Sequence, residues 1–194
     1  MDPAGMVRRI EVAWFSLVAA VLAAGCNRTL ILSEYGSKTG VSRADDGSVI
    51  ARQRPHRGVD IKAYSIGDPV IASADGMVLF AIYRPREGTT VMIAHPTFSR
   101  FTIYSHLKQA SVEANDLVAR GDAIGKVGVF PASRKVIHVH WELCTNFLCR
   151  GEGHLGGTED PLARTVGCFD RSKAYPSDAL FLTLPVPCDT YVRP

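Results

Sequence analysis

The chain has 194 residues, a formal net charge of +3 and a sequence pI near 8.6. With 46% hydrophobic and 21% charged residues it has a globular balance, and its length suits one ordinary domain with short appendages. The mild charge argues against a nucleic-acid binder, and 17 glycines with 11 prolines argue against a helical bundle.

At the N-terminus, Arg8 and Arg9 precede an apolar run from Val12 to Ala24, which ends at Gly25-Cys26. A basic opening, a short apolar stretch and small residues at its end predict an export signal over residues 1–25. The run is too short to cross a bilayer core, which needs about 20 residues. Leu22-Ala23-Ala24-Gly25-Cys26 resembles a bacterial lipobox. That resemblance implies a lipid on Cys26, a membrane anchor and a periplasmic location, with the outer membrane favoured by Asn27. Removing residues 1–25 takes out two basic and two acidic residues, so the charge stays at +3.

Residues 26–50 read as a tether or arm, because Ser33 to Gly47 is rich in Ser, Gly, Thr and Asp. From about Arg54 the character changes. Short apolar runs at Val59–Ile61, Pro69–Ala72, Met77–Tyr83, Val91–His95, Arg100–His106, Asp122–Gly128 and Val136–Leu143 alternate with Gly, Asp and Pro. Strands of this length at near-regular spacing predict an all-β antiparallel sandwich or barrel over residues 51–165. Pro96-Thr97 is expected to join two of them. One short helix is expected around Glu113 to Arg120, and residues 166–194 read as a C-terminal extension. With Cys26 lipidated, Cys144, Cys149, Cys168 and Cys188 remain, an even set that in an exported protein predicts disulfides. Of three possible pairings, Cys144–Cys149 as a tight loop and Cys168–Cys188 as a longer one is preferred. A structural zinc site is disfavoured, since the cysteines lack two close C-x2-C pairs.

The chemistry lies in the histidines. In His138-Val139-His140-Trp141-Glu142 a strand would put His138, His140 and Glu142 on one face, with Val139 and Trp141 on the other. Two imidazoles about 7 Å apart can converge on one ion or one water. His56 and Asp60 share a face in either a strand or a helix, and Gly58, Val59 and Ile61 favour the strand. A catalytic zinc takes three protein ligands and keeps an open position. His56, Asp60 and one histidine of the 138/140 pair would supply such a set.

In combination and in this order, these motifs resemble the lysostaphin-type (LytM-like) peptidoglycan zinc metalloendopeptidases, over roughly His56 to Pro161. His56-Arg57-Gly58-Val59-Asp60-Ile61 is similar to that family's first zinc motif. Gly67 to Val78 is similar to its following strand-turn-strand, Tyr104-Ser105-His106-Leu107 to its Tyr-x-His-Leu segment, and Gly121-Asp122-Ala123-Ile124-Gly125 to a turn before the last histidines. His138-Val139-His140-Trp141-Glu142 matches its His-Leu-His-Phe-Glu, and Glu159-Asp160-Pro161 its closing Asp-Pro. The resemblance implies a small all-β domain with one Zn2+ on His56, Asp60 and His140. It makes His106 and His138 the non-ligand catalytic pair and places Glu142 behind an imidazole, orienting it. It also implies hydrolysis of a peptide bond in peptidoglycan stem peptides or cross-links. The family usually has a Ser-Thr-Gly-type turn before its last motif, where this chain has Pro131 to Ile137. Residues 144–158 look like an insertion.

Other readings stand beside these. A relative that binds the wall and activates an amidase without catalysis would typically lack zinc ligands, all of which are kept here. A zinc peptidase acting on another exported protein would use the same residues. His95 reads as a packed core histidine, His154 as a loop residue and Trp141 as core. Arg52, Arg54 and Arg57 read either as a solvated basic loop or as attractants for stem-peptide carboxylates.

Overall fold

The computed structural model describes residues 30–41 and 49–188. The proposed signal and Cys26 lie outside the described residues. Among those described there is no α-helix, and no helix long and apolar enough to cross a membrane.

The main sheet is antiparallel. Its strands run in the order β1 (Ile31–Ser33), β4 (Val59–Lys62), β11 (His138–Cys144), β8 (Arg100–Ala110), β7 (Gly88–His95), β6 (Gly76–Arg84) and β9 (Leu117–Val118). β10 (Ala123–Val127) bridges β8 to β5 (Pro69–Ile71), and β12 (Thr158–Glu159) pairs with β11. A separate hairpin joins β2 (Thr39–Val41) to β3 (Val49–Ala51). The strand alternation expected around the histidines holds: Val139, Trp141 and Leu143 on β11 are fully buried, as are Val59 and Ile61 on β4. Their neighbours His138, His140 and Asp60 are thereby turned to the opposite face. Trp141 and Tyr104 are the largest fully buried side chains and sit opposite one another across β11 and β8. The close approach of β4 to β11 requires Gly58, because a Cβ there would run into the carbonyl of Trp141.

One sequence expectation is corrected: residues 113–120 form no helix. Asp116 accepts the Glu113 amide proton at 2.9 Å, Asn115 takes a left-handed φ of 76°, and Leu117–Val118 then pairs with Gly76–Met77. Asn and Asp bond their own backbone well in turns, and eight residues are too few for a helix to resist that competition. The arm is not free: Leu30 is buried in the core, Ile31 and Ser33 pair with Ile61 and Asp60, and the Tyr35 hydroxyl donates to the Thr158 carbonyl at 3.1 Å. Nor does the C-terminal segment lie apart. Leu180, Leu182, Leu184 and Val186 are buried with the strand residues. The Thr183 amide donates to the Ser73 carbonyl at 2.9 Å, and a Cys168–Cys188 disulfide closes the segment on itself. A second disulfide links Cys144 to Cys149. Between β7 and β8 the expected Pro96-Thr97 connection is a single 3-10 turn, Pro96–Phe98.

Because Leu182 is fully buried, Leu182→Ala should cost about 2–5 kcal/mol. Denaturant unfolding checks this; a loss within about 0.5 kcal/mol would mean that residues 166–188 are an appendage.

Candidate metal centre

β4 and β11 lie side by side with Asp60 opposite His140. His56 sits just before β4, four residues ahead of Asp60. The three donor atoms form a near-equilateral triangle. His56 Nε2 and His140 Nδ1 are 3.0 Å apart, and each faces Asp60 Oδ1, at 3.1 and 2.9 Å. His56, Asp60 and His140 can together hold a metal ion.

The far side of each ligand is held by a second partner. His56 Nδ1 donates to the Glu34 carbonyl at 3.1 Å, with Ser33 Oγ at 3.2 Å. A carbonyl oxygen can only accept, so the proton is on Nδ1 and the Nε2 lone pair faces the triangle. His140 donates from Nε2 to Glu142 Oε1 at 2.9 Å, leaving Nδ1 to face the triangle. Arg52 Nη2 takes Asp60 Oδ2 at 2.8 Å, so Oδ1 alone is presented. Glu142 is itself 3.7 Å from Arg57 Nε, and Arg57 donates to the carbonyls of His154 and Cys149. The 144–158 segment, an apparent insertion by sequence, is thus tied to the back of the centre.

His106 and His138 complete the cluster. Their rings are 4.9 Å apart, and His106 is 6.1 Å from His140. His106 Nδ1 donates to the Glu87 carbonyl at 2.9 Å, and His138 Nδ1 to the Val136 carbonyl at 3.1 Å. Each therefore offers an Nε2 lone pair; that of His138 lies 3.5 Å from Asp60 Oδ1. His106 is aimed by its backbone. Tyr104 and Leu107 are both core residues three apart, which an unbroken strand would forbid. A left-handed φ of 67° at His106 resets the alternation as a bulge does, turning the imidazole to the cleft.

The electrostatics follow this wiring. Burial pushes the His106 imidazole down, and the neighbouring His138 and His140 take it further, to about 4. Burial likewise lowers His138, against the pull of Asp60. Both are neutral bases at neutral pH. Burial alone would raise Asp60, but the His140 hydrogen bond and the adjoining His56 and His138 imidazoles hold it well below the usual carboxylate range. His140 is opposed by burial yet raised to about 10 by its hydrogen bonds to Asp60 and Glu142.

His56, Asp60, His106, His138, His140 and Glu142 thus come together in one cleft. His95 does not. It is buried at the far end of β7, donating from Nδ1 to the Asp75 carbonyl at 2.7 Å and facing Thr102 Oγ1 at 2.9 Å, with burial lowering its pKa. His154 is a loop residue that lends its carbonyl to Arg57. The sequence reading missed Ser33 and Glu34 behind His56, and read Arg52 as surface charge. No local pattern marks these contacts, because they depend on how the arm folds back.

An all-β scaffold here carries a His, Asp, His donor set that could hold a metal ion, with two neutral histidines beside it. Residues 54–149 match the family model described as Peptidase family M23. Peptidoglycan DD-endopeptidase ShyA of Vibrio cholerae is 37% identical over 97 residues, spanning 49% of this chain and 21% of that protein. DD-carboxypeptidase/endopeptidase Mpg of Neisseria meningitidis is 39% identical over 93 residues, 48% of this chain and 21% of that protein. The chain therefore spans only about a fifth of these relatives. The catalytic domain of lysostaphin from Staphylococcus simulans shares the fold with a TM-score of 0.55 at 24% identity, covering 73% of this chain and 95% of that one. A catalytic domain of the M23 protein EnpA from Enterococcus faecalis superposes with a TM-score of 0.51 at 25% identity, over 68% and 88%. The chain carries a peptidase family M23 domain of the lysostaphin type.

The left-handed backbone at His106 costs a residue with a Cβ about 1 kcal/mol or more. His106→Gly should therefore be about 1 kcal/mol more stable than His106→Ala in urea unfolding. Equal stability of the two would remove the strained bulge as the device that aims His106.

Proposed function

We propose that the protein is a zinc-dependent endopeptidase that hydrolyses peptide bonds in peptidoglycan stem peptides or cross-links. The observation that carries this reading is the triangle of His56 Nε2, Asp60 Oδ1 and His140 Nδ1, beside two neutral histidines. The donor set fits zinc: two imidazole nitrogens and one carboxylate oxygen are a common catalytic combination, and a tetrahedral site has ligands about 3.3 Å apart, a little beyond the present spacing. Further support comes from the M23 match and from the DD-endopeptidase activity named for relatives.

Zinc at this position would supply Lewis acidity, polarising a carbonyl oxygen and acidifying water. His56, Asp60 and His140 would hold it, while Arg52 and Glu142 keep Asp60 and His140 in the required orientation. Either His106 or His138 takes the proton of the attacking water through its Nε2 lone pair. Once protonated, that Nε2 donates a hydrogen bond to the developing oxyanion and then passes its proton to the leaving amine. The Nδ1–H bonds to Glu87 and Val136 keep both rings in the tautomer this needs. The complete donor set argues against a non-catalytic activator of an amidase. The same reading places the enzyme outside the cytoplasm, anchored through a lipid on Cys26.

A graded pair of variants tests the reading. His140→Ala should abolish both zinc binding and muropeptide release from purified peptidoglycan. Glu142→Gln should keep the site but weaken zinc about 10–100-fold against a chelator. Undiminished muropeptide release by His140→Ala would contradict the assignment.

A further inference from the structure

A groove of about 530 Å³ runs from the metal centre along Arg52, Arg54, Arg57 and Arg134. Arg52 is bound to Asp60, and Arg57 to Glu142 and two carbonyls. The other two are different. Arg54 and Arg134 are exposed, and among the described residues neither forms an ion pair. Arg134 also borders a second cleft, of about 250 Å³, that contains His106 and His138. It is thus the one arginine of the unpaired two that reaches both sides of the reacting centre.

The loop that carries Arg134 is where the chain departs from the turn expected by resemblance. It is firmly built. Ser133 is buried, accepts the Phe130 amide proton at 3.0 Å and donates to the Phe130 carbonyl at 2.9 Å. The Ala132 amide is held by the Arg86 carbonyl at 2.9 Å. Arg134 and Lys135 both take left-handed φ values, 53° and 64°, and both are exposed. Glu87, nearly half-exposed and 4.0 Å from His106, lines the same cleft.

We infer that Arg134, with Arg54 beside it, binds a free carboxylate of the peptide next to the bond that is cut. The preferred substrate, resting on the function proposed above, is a cross-link between residues that carry free carboxylates, not an uncharged glycine bridge. A guanidinium matches a carboxylate with two parallel hydrogen bonds, a fixed geometry that a carboxamide or a glycine backbone does not reproduce. A glycine bridge has nothing to place there.

The test uses the zinc-loaded full chain and three probes: a D-Ala–diaminopimelate cross-linked peptide with free carboxylate, the same peptide as carboxamide, and pentaglycine. Wild type should favour carboxylate over carboxamide by about tenfold or more in kcat/KM, chiefly through KM, and cut pentaglycine least. Arg134→Gln should bring that ratio to within about twofold, and Arg134→Lys should restore part of it. Equal cleavage of both peptides by wild type, or a ratio unchanged in Arg134→Gln and in the Arg134→Gln/Arg54→Gln double variant, would overturn the inference. If wild type cut none of the probes, the proposed function would fail. The inference would then be judged by calorimetric binding, where a carboxylate preference below about threefold overturns it and about tenfold or more supports it.

Discussion

Every imidazole in the cleft is held from behind by an acceptor. Glu34, Glu87 and Val136 offer backbone carbonyls to Nδ1 of His56, His106 and His138, and Glu142 offers a carboxylate to Nε2 of His140. A neutral imidazole that donates from one nitrogen presents a lone pair at the other. His56, His106 and His138 are wired in this way, while His140 gives Asp60 a proton from Nδ1 that a metal ion would displace, and Arg52 fixes Asp60 by occupying Oδ2. The inward convergence would otherwise be a costly burial of polar groups, and the outer bonds are what offset it.

The scaffold exists to hold those outer partners in register. β4 and β11 set Asp60 against His140, and the buried Val59, Ile61, Val139 and Trp141 fix which face each strand shows. A slip of one residue would bury Asp60 and expose the core. β8 departs from plain alternation at His106, where the bulge turns a residue that would have faced the core toward the cleft. The docked arm supplies Ser33 and Glu34, and Arg52 follows directly after β3. The C-terminal segment supplies Leu180 to Val186 to the core beneath the sheet.

The strand face of His138, His140 and Glu142 was legible because period-two alternation with two core residues between them leaves little choice. The pairing of His56 with Asp60 was legible through spacing and the glycine between them. Which of His138 and His140 stands with His56 and Asp60 was not readable from residues alone. Strand register puts His140 opposite Asp60. The arm's role was hidden because Ser, Gly and Thr have no hydrophobic period, and its few anchors, Leu30, Ser33 and Tyr35, act at long sequence distance. Around Asn115 and Asp116 helical spacing misled, since side-chain bonds to the local backbone outweighed a weak propensity. Arg134 was marked in the sequence only by its loop, Pro131 to Ile137, departing from the expected turn; its place at the cleft depends on how that loop folds, with left-handed Arg134 and Lys135.

The central claim is the direction of each imidazole, and nitrogen NMR of the histidine side chains in the zinc-loaded protein reads it directly. His56 should bind the metal through Nε2 and His140 through Nδ1, with His106 and His138 unbound and protonated on Nδ1. Metal on His106 or His138, or His140 bound through Nε2, would contradict the account.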